Sequence, residues 1–130
     1  MNTVYDFLKK VNTYYLATLD GDQPRVRPFG TINLFEGKLY IQSGKKKDVA
    51  KQIEANPKVE ISAYDGETWI RIACVLSEDD RAVARESMLN AYPSLRRLYT
   101  EGDGNCVVYT LNDATATFYT FGGEPKTIRW

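Results

Sequence analysis

The sequence predicts a mainly β protein, a closed or nearly closed antiparallel barrel with a few short helices outside it. Short β-rich runs alternate with turn signals at Asp20-Gly21, Glu36-Gly37 and Asp65-Gly66, a pattern of hairpins rather than parallel crossovers. Helical periodicity is confined to short stretches that interrupt the hairpins. Apolar residues make up 43% of the 130 residues, enough at this length to offset chain entropy with one buried core. No repeat, low-complexity tract or linker divides the chain, so residues 1–130 read as one domain.

The elements follow in order. Val4, Phe7, Leu8 and Val11 fall at helical spacing, so Thr3–Val11 reads as an amphipathic helix with Thr3 as a candidate cap. Tyr14–Leu19, Arg25–Phe35 and Lys38–Gln42 read as a three-stranded meander, with Arg25–Phe35 paired to Lys38–Gln42. A helix is expected from about Lys46 to Ala55, stopped by Asn56-Pro57. Val59–Tyr64 and Glu67–Leu76 form a second hairpin. Ser77 followed by Glu78-Asp79-Asp80 looks like a helix start, and that helix carries Val83, Met88 and Leu89 until Pro93. Cys106–Leu111 and Thr115–Phe121 are expected to pair across Asn112-Asp113. The total is about seven strands.

Composition excludes several chemistries. There is no histidine, so no Ser-His-Asp or Cys-His unit, His-ligated metal site or His general base can be built. Lys+Arg and Asp+Glu both number 17, and a zero balance argues against a general nucleic-acid binder. Cys74 and Cys106 sit in apolar, strand-like contexts and read as buried free thiols. No apolar run reaches membrane-spanning length and no signal-peptide core opens the chain, so no membrane association and a cytoplasmic location are expected.

Three groups of residues stand out. Lys45, Lys46 and Lys47 follow Ser43-Gly44 at the start of a helix, where cations oppose the dipole unless an anion sits there. The alternative is a solvated lysine run. Arg25 and Arg27 share one strand face, and arginine grips phosphate in bidentate fashion; the alternative is a pair of solvent-facing arginines. Pro28, without an N–H, marks an edge or irregular position before Phe29-Gly30. Trp69 and Arg71 share an outward face, suited to a planar ligand or a subunit interface, or to packing under a loop.

With its ordered series "YYLATLDGDQPRVRPFG", "GKLYIQSGKKKDVAKQIEANPKVEIS", "TWIRI" and the tail "ATATFYTFGGEP", the chain resembles the pyridoxamine 5′-phosphate oxidase-like flavoproteins, especially their small general-stress-type branch. The resemblance implies a split β-barrel homodimer that binds FMN at the subunit interface. It implies an FMN-dependent oxidoreductase working with a small-molecule electron donor or acceptor; a non-enzymatic flavin carrier, store or sensor is the alternative. By the same resemblance, Arg27, with Arg25 beside it, and either Lys46 or Lys47 contact the phosphate. Pro28, Phe29 and Gly30 lie along the isoalloxazine edge. Gln42 and Ser43 match the polar pair ending the next strand, and Thr68 and Trp69 reach the flavin from the partner subunit. The true oxidases carry a basic residue where this chain has Gly30-Thr31-Ile32, and a C-terminal segment with Arg and His that is absent here. Related nitroimidazole reductases use a histidine near the cofactor; this chain has none.

Overall fold

Period-two alternation of apolar residues becomes a single eight-stranded antiparallel sheet in the computed structural model, which describes residues 1–130. Helix α1 spans Asn2–Val11, β1 Tyr14–Asp20, β2 Gln23–Phe29, β3 Asn33–Phe35 and β4 Lys38–Gly44. Helix α2 spans Asp48–Ala55, β5 Lys58–Tyr64, β6 Thr68–Glu78 and α3 Ala82–Ala91. A 3-10 turn over Pro93–Arg97 leads to β7, Cys106–Thr120, and β8, Lys126–Arg129. The strands lie in the order β2-β1-β5-β6-β7-β4-β3. No helix is long and apolar enough to cross a membrane.

The core follows the alternation. Val59, Ile61 and Ala63 of β5 and Ile70, Ile72, Cys74 and Leu76 of β6 point inward with Tyr14 and Leu16 of β1. Val4 and Leu8 of α1 join this core, and Asn12, at φ 68 and ψ −46, ends the helix by donating its N–H to the Leu8 carbonyl while the Thr13 N–H closes a γ-turn onto the Val11 carbonyl. Strand β4 is buried along Leu39–Gly44 because the barrel core covers one face. On its other face Tyr40 packs against Ala84 and Met88 of α3. Helix α2 touches both β1 and β4, which do not pair, and so spans the side where the barrel is split. Cys74 and Cys106 are free and buried, as expected.

Five local readings are corrected. Strand β4 pairs with β3 and β7, while β2 pairs with β1, so the 25–35 segment is not one strand. Helix α2 begins at Asp48, with Lys47 extended at the cap, because an acidic residue suits the first helical position and Lys45–Lys47 form a turn ahead of it. Thr3 lies inside α1 and makes no cap bond. Strand β6 runs through Ser77 to Glu78, and α3 starts only at Ala82. The acidic run pairs with cations instead: Glu78 with Lys45, Asp79 with Arg81 and Asp80 with Arg85.

The fifth concerns Asn112-Asp113, which is no turn. Strand β7 runs unbroken through it, with Asp113 at φ 48 beside a register shift at Ala73/Val75. Asn112 Nδ2 donates to the Thr110 and Val75 carbonyls, and Ala114 exchanges backbone hydrogen bonds with Trp130. The Trp130 indole N–H donates to the Leu111 carbonyl, so the last residue anchors the tail to this irregularity. The additional strand, β8, pairs with the second half of β7.

The β5–β6 turn supplies a pH-dependent element. Backbone hydrogen bonds from Thr68 and then Glu67, with Lys10 beside them, hold the Asp65 carboxyl down at about 2 from its ordinary 3.8. A carboxylate depressed in the folded state stabilises it above the ordinary value, and that contribution is lost as pH falls through the folded value. Denaturant midpoints measured from pH 5 down to pH 2 should fall less steeply in Asp65→Asn than in the parent. Parallel curves would remove this role.

Candidate functional site

A groove of about 350 Å³ runs beside β4. Pro28, Phe29, Gly30 and Thr31 form one bank as the chain leaves β2, and Gln42 and Ser43 line it from β4. Lys47 stands at the mouth of α2, and Tyr92, Ser94, Leu95, Leu98 and Tyr99 make the opposite bank. The first bank is locked to β4 by Thr31, whose hydroxyl accepts the Gln42 N–H at 3.0 Å and whose carbonyl accepts the Tyr14 hydroxyl at 2.6 Å. The opposite bank is tied back by Tyr92, whose hydroxyl donates to the Ile32 carbonyl and accepts the Ile32 N–H, both at 3.0 Å.

Polar groups in and next to the groove are left without partners. Ser43 is 3% exposed, yet its hydroxyl makes no hydrogen bond within the chain. The amide N–H groups of Asp48 and Val49 in the first turn of α2 also have no acceptor in the chain. Gln42 Nε2 donates to the Ser43 carbonyl at 2.8 Å, with the Cys106 sulfur behind it at 3.9 Å. Burial pushes the Cys106 thiol up from its ordinary value, so it is protonated at neutral pH. At Gly44 there is no room for a side chain: a Cβ there would lie 2.8 Å from Tyr99 Oη.

Of the residues expected to hold a flavin, Pro28, Phe29, Gly30, Gln42, Ser43 and Lys47 meet in this groove. Lys46 does not line it; its backbone N–H is bound by Asn105 Oδ1, and its side chain points to solvent. Arg27 lies against α2: Nη1 donates to the Leu16 carbonyl and Thr18 Oγ1, and Nη2 to Gln52 Oε1 at 2.8 Å. Those bonds use three of the five donors of a guanidinium. Burial, with Arg25 nearby, lowers its pKa, although arginine stays charged. Arg25 forms an exposed ion pair with Asp20. Thr68 and Trp69 do not line the groove of their own chain; Trp69 stacks on Tyr119 at 5.2 Å and Phe121 leans on it, with Arg71 over the Tyr119 ring.

Sequence reasoning missed Thr31 and the whole Tyr92–Tyr99 bank. The only signal was Pro93 after a tyrosine, and it marks a helix end rather than a site.

The chain matches the family model described as pyridoxamine 5′-phosphate oxidase over residues 2–94. No curated protein matches it by sequence. Among solved structures it is similar to a NimC/NimA family protein from Clostridium acetobutylicum, at 43% identity and a TM-score of 0.96, covering 100% of this chain and 92% of that one. It is also similar to General Stress Protein 26 from Bacillus anthracis, at 20% identity and a TM-score of 0.73, covering 98% of each chain. A third is a pyridoxamine 5′-phosphate oxidase-related, FMN-binding protein from Nostoc punctiforme, at 16% identity and a TM-score of 0.75, covering 99% and 94%. The last two likenesses bear on the fold alone, which is the split barrel.

Proposed function

Because the chain belongs to the pyridoxamine 5′-phosphate oxidase family, we propose that it is an FMN-binding oxidoreductase and that the groove beside β4 holds the flavin. The observation that carries this reading is the set of unsatisfied donors near Lys47. The Ser43 hydroxyl, the Asp48 and Val49 amides and the two remaining Arg27 donors suit a dianionic phosphate, which a helix N-terminus also favours. The backbone of Pro28–Thr31 and the Tyr92–Tyr99 bank suit a flat, largely apolar ring. The residues present therefore fit FMN.

Bound there, FMN would supply hydride or electron transfer. The chain's part is to bind, orient and shield. Lys47 and Arg27 neutralise the phosphate, Ser43 and the α2 amides fix its position, and Tyr99 and Leu98 limit water access to the ring. The chain holds no histidine and Cys106 stays protonated, so no imidazole or thiolate here moves a proton. In this reading Thr68 and Trp69 cover the flavin from a second copy of the chain, which makes the working unit a homodimer with a small-molecule donor or acceptor. Two buried free thiols agree with a reducing cytoplasm.

Visible absorption of the purified protein, before and after adding FMN and desalting, tests the reading. About one flavin retained per chain supports it, and a colourless protein after loading ends it. Lys47→Ala should weaken FMN by about 1 kcal/mol, roughly fivefold, as expected for one exposed charge-assisted contact. Flavin fluorescence titration would measure that loss; Lys46→Ala should leave the dissociation constant unchanged. A second reading, a flavin carrier without turnover, shares every binding residue and is favoured by the lack of an imidazole or thiolate. Consumption of NADH or NADPH with a panel of acceptors separates the two.

A further inference from the structure

A second cavity, of about 360 Å³, opens between α2 and the β6–β7 pair and shares no lining residue with the groove. Its apolar wall is Ala50, Ile53, Pro57 and Leu76. The polar groups facing it are Tyr109, Glu54, Glu78 and Lys45. We propose that this cavity binds a small organic cation, a primary ammonium group carried on an apolar body, with Glu54 and Glu78 as its counter-charges and Tyr109 as a hydrogen-bond partner.

Tyr109 is the observation that points to a ligand rather than to a merely acidic surface. It is 5% exposed, its ring belongs to the barrel core, and its hydroxyl has no hydrogen-bond partner in the chain. No fully buried side-chain oxygen in the chain lacks a partner, so this hydroxyl opens onto the cavity, where its oxygen is an unused acceptor for a polar ligand group. Burial, together with Glu78 and Glu54, pushes its phenol up to about 12, so it is neutral at physiological pH and its oxygen can accept from an ammonium.

The carboxylates supply the charge. Glu54 forms no ion pair, and the one cation near Glu78 is Lys45 Nζ at 3.3 Å. That contact shows that an ammonium group seats against Glu78. Both partners are well exposed, so the pair is weak and a ligand can replace it. Two carboxylates against one lysine leave the lining net negative. A metal ion is a poorer match, because no group of three or more carboxylate, thiol or imidazole ligands occurs in the chain and half the lining is apolar.

The probe is 2-phenylethylamine, with neutral 2-phenylethanol as its uncharged counterpart. Both are titrated into the full-length, FMN-treated protein and followed by amide chemical shifts. The expected result is saturable shifts centred on Ala50, Ile53, Leu76 and Tyr109, with Gly30 and Gln42 unmoved. The alcohol should bind about tenfold more weakly, since it lacks the charge-assisted bonds. Glu54 is exposed on α2, so Glu54→Gln should fold normally and weaken the amine about fivefold without changing the alcohol. Lys45→Ala, which removes the competing ammonium, should tighten it. Absence of saturable shifts, equal affinity for amine and alcohol, or unchanged affinity in Glu54→Gln would each overturn the proposal.

Discussion

Arg27→Ala should lower both folding stability and flavin affinity, and the two losses should be separable. The guanidinium ties β1 to α2 through the Leu16 carbonyl, Thr18 Oγ1 and Gln52 Oε1, across the split side that α2 covers. Removing it leaves acceptors short of a donor beneath the helix, at a cost of about 1–3 kcal/mol. Thr18 also donates to Gln52 Oε1 at 2.6 Å, so part of the link survives and the upper figure is a ceiling. In the proposed complex its two spare donors add a loss in binding, about 1.5–3 kcal/mol or at least tenfold in the FMN dissociation constant. Arg27→Lys separates the effects, because lysine keeps the charge but cannot span the three acceptors as a planar fork. Urea unfolding should place the lysine variant near the alanine variant in stability. Fluorescence titration should place it near the parent in affinity. An alanine variant with full FMN affinity would remove Arg27 from the site and leave it as a structural strut.

Gly44→Ala should be comparably damaging for a steric reason. A Cβ at Gly44 would lie 2.8 Å from Tyr99 Oη, 3.0 Å from its Cε1 and 3.4 Å from Asn105 Nδ2. A tyrosine on the surface would swing aside at little cost. Tyr99 is 6% exposed and packed with Leu89 and Cys106, so the methyl group forces either β4 or the Tyr99 bank to move. Overpacking of this kind costs about 1–3 kcal/mol. Because Tyr99 walls the groove opposite Pro28–Thr31, FMN affinity should fall with stability. In a Tyr99→Ala background the extra cost of Gly44→Ala should largely vanish, a non-additivity readable from chemical unfolding of the four proteins. Additive losses would show that Gly44 matters for some reason other than Tyr99.

Much of the barrel was legible because period-two burial is written directly into the strands. Val59, Ile61 and Ala63 alternate with polar residues, as do Ile70, Ile72 and Cys74, and the turns between them carry glycine. What was not legible depends on contacts distant in sequence. Asn112-Asp113 carries the local chemistry of a turn, and pairing with β6 on both sides of it, with Trp130 filling the irregularity, keeps β7 continuous through it. Ser77-Glu78-Asp79-Asp80 satisfies every local rule for a helix start. Tertiary pairing with β7 instead extends the strand to Glu78, and Arg81 and Arg85 take up the carboxylates.

The site divides along the same line. Ser43 and the lysine run stand out because a strand ending in Ser-Gly before a lysine-led helix is a local pattern, whereas Gln42 comes from the family resemblance, which leaves Lys46 and Lys47 undivided. Asp48, not a lysine, opens that helix, which removes the dipole penalty first assigned to the lysines but leaves their charge at its mouth. Tyr92 and Tyr99 come from about 50 residues further along the chain, and nothing near them announces a ligand. Arg27 reads from its own strand as a candidate phosphate contact, while its bonds beneath α2 depend on Gln52 and cannot be read there.

Strand β7 also fixes the order in which the molecule can be made. Strands β3 and β4 meet the rest of the sheet only through β7, whose pairing with β4 joins Gln42 to Val108 and Gly44 to Cys106. Until Cys106 and its successors leave the ribosome, β2-β1-β5-β6 can assemble as one ribbon and β3–β4 as another, joined by no strand pairing and only by α2 and the Thr31 hydrogen bonds. The floor of the groove therefore lacks this strand pairing until the last fifth of translation. Closure over so long a loop is slow by the usual dependence on sequence separation. A nascent chain stalled before Cys106 should capture no flavin, however complete its arginine and lysines.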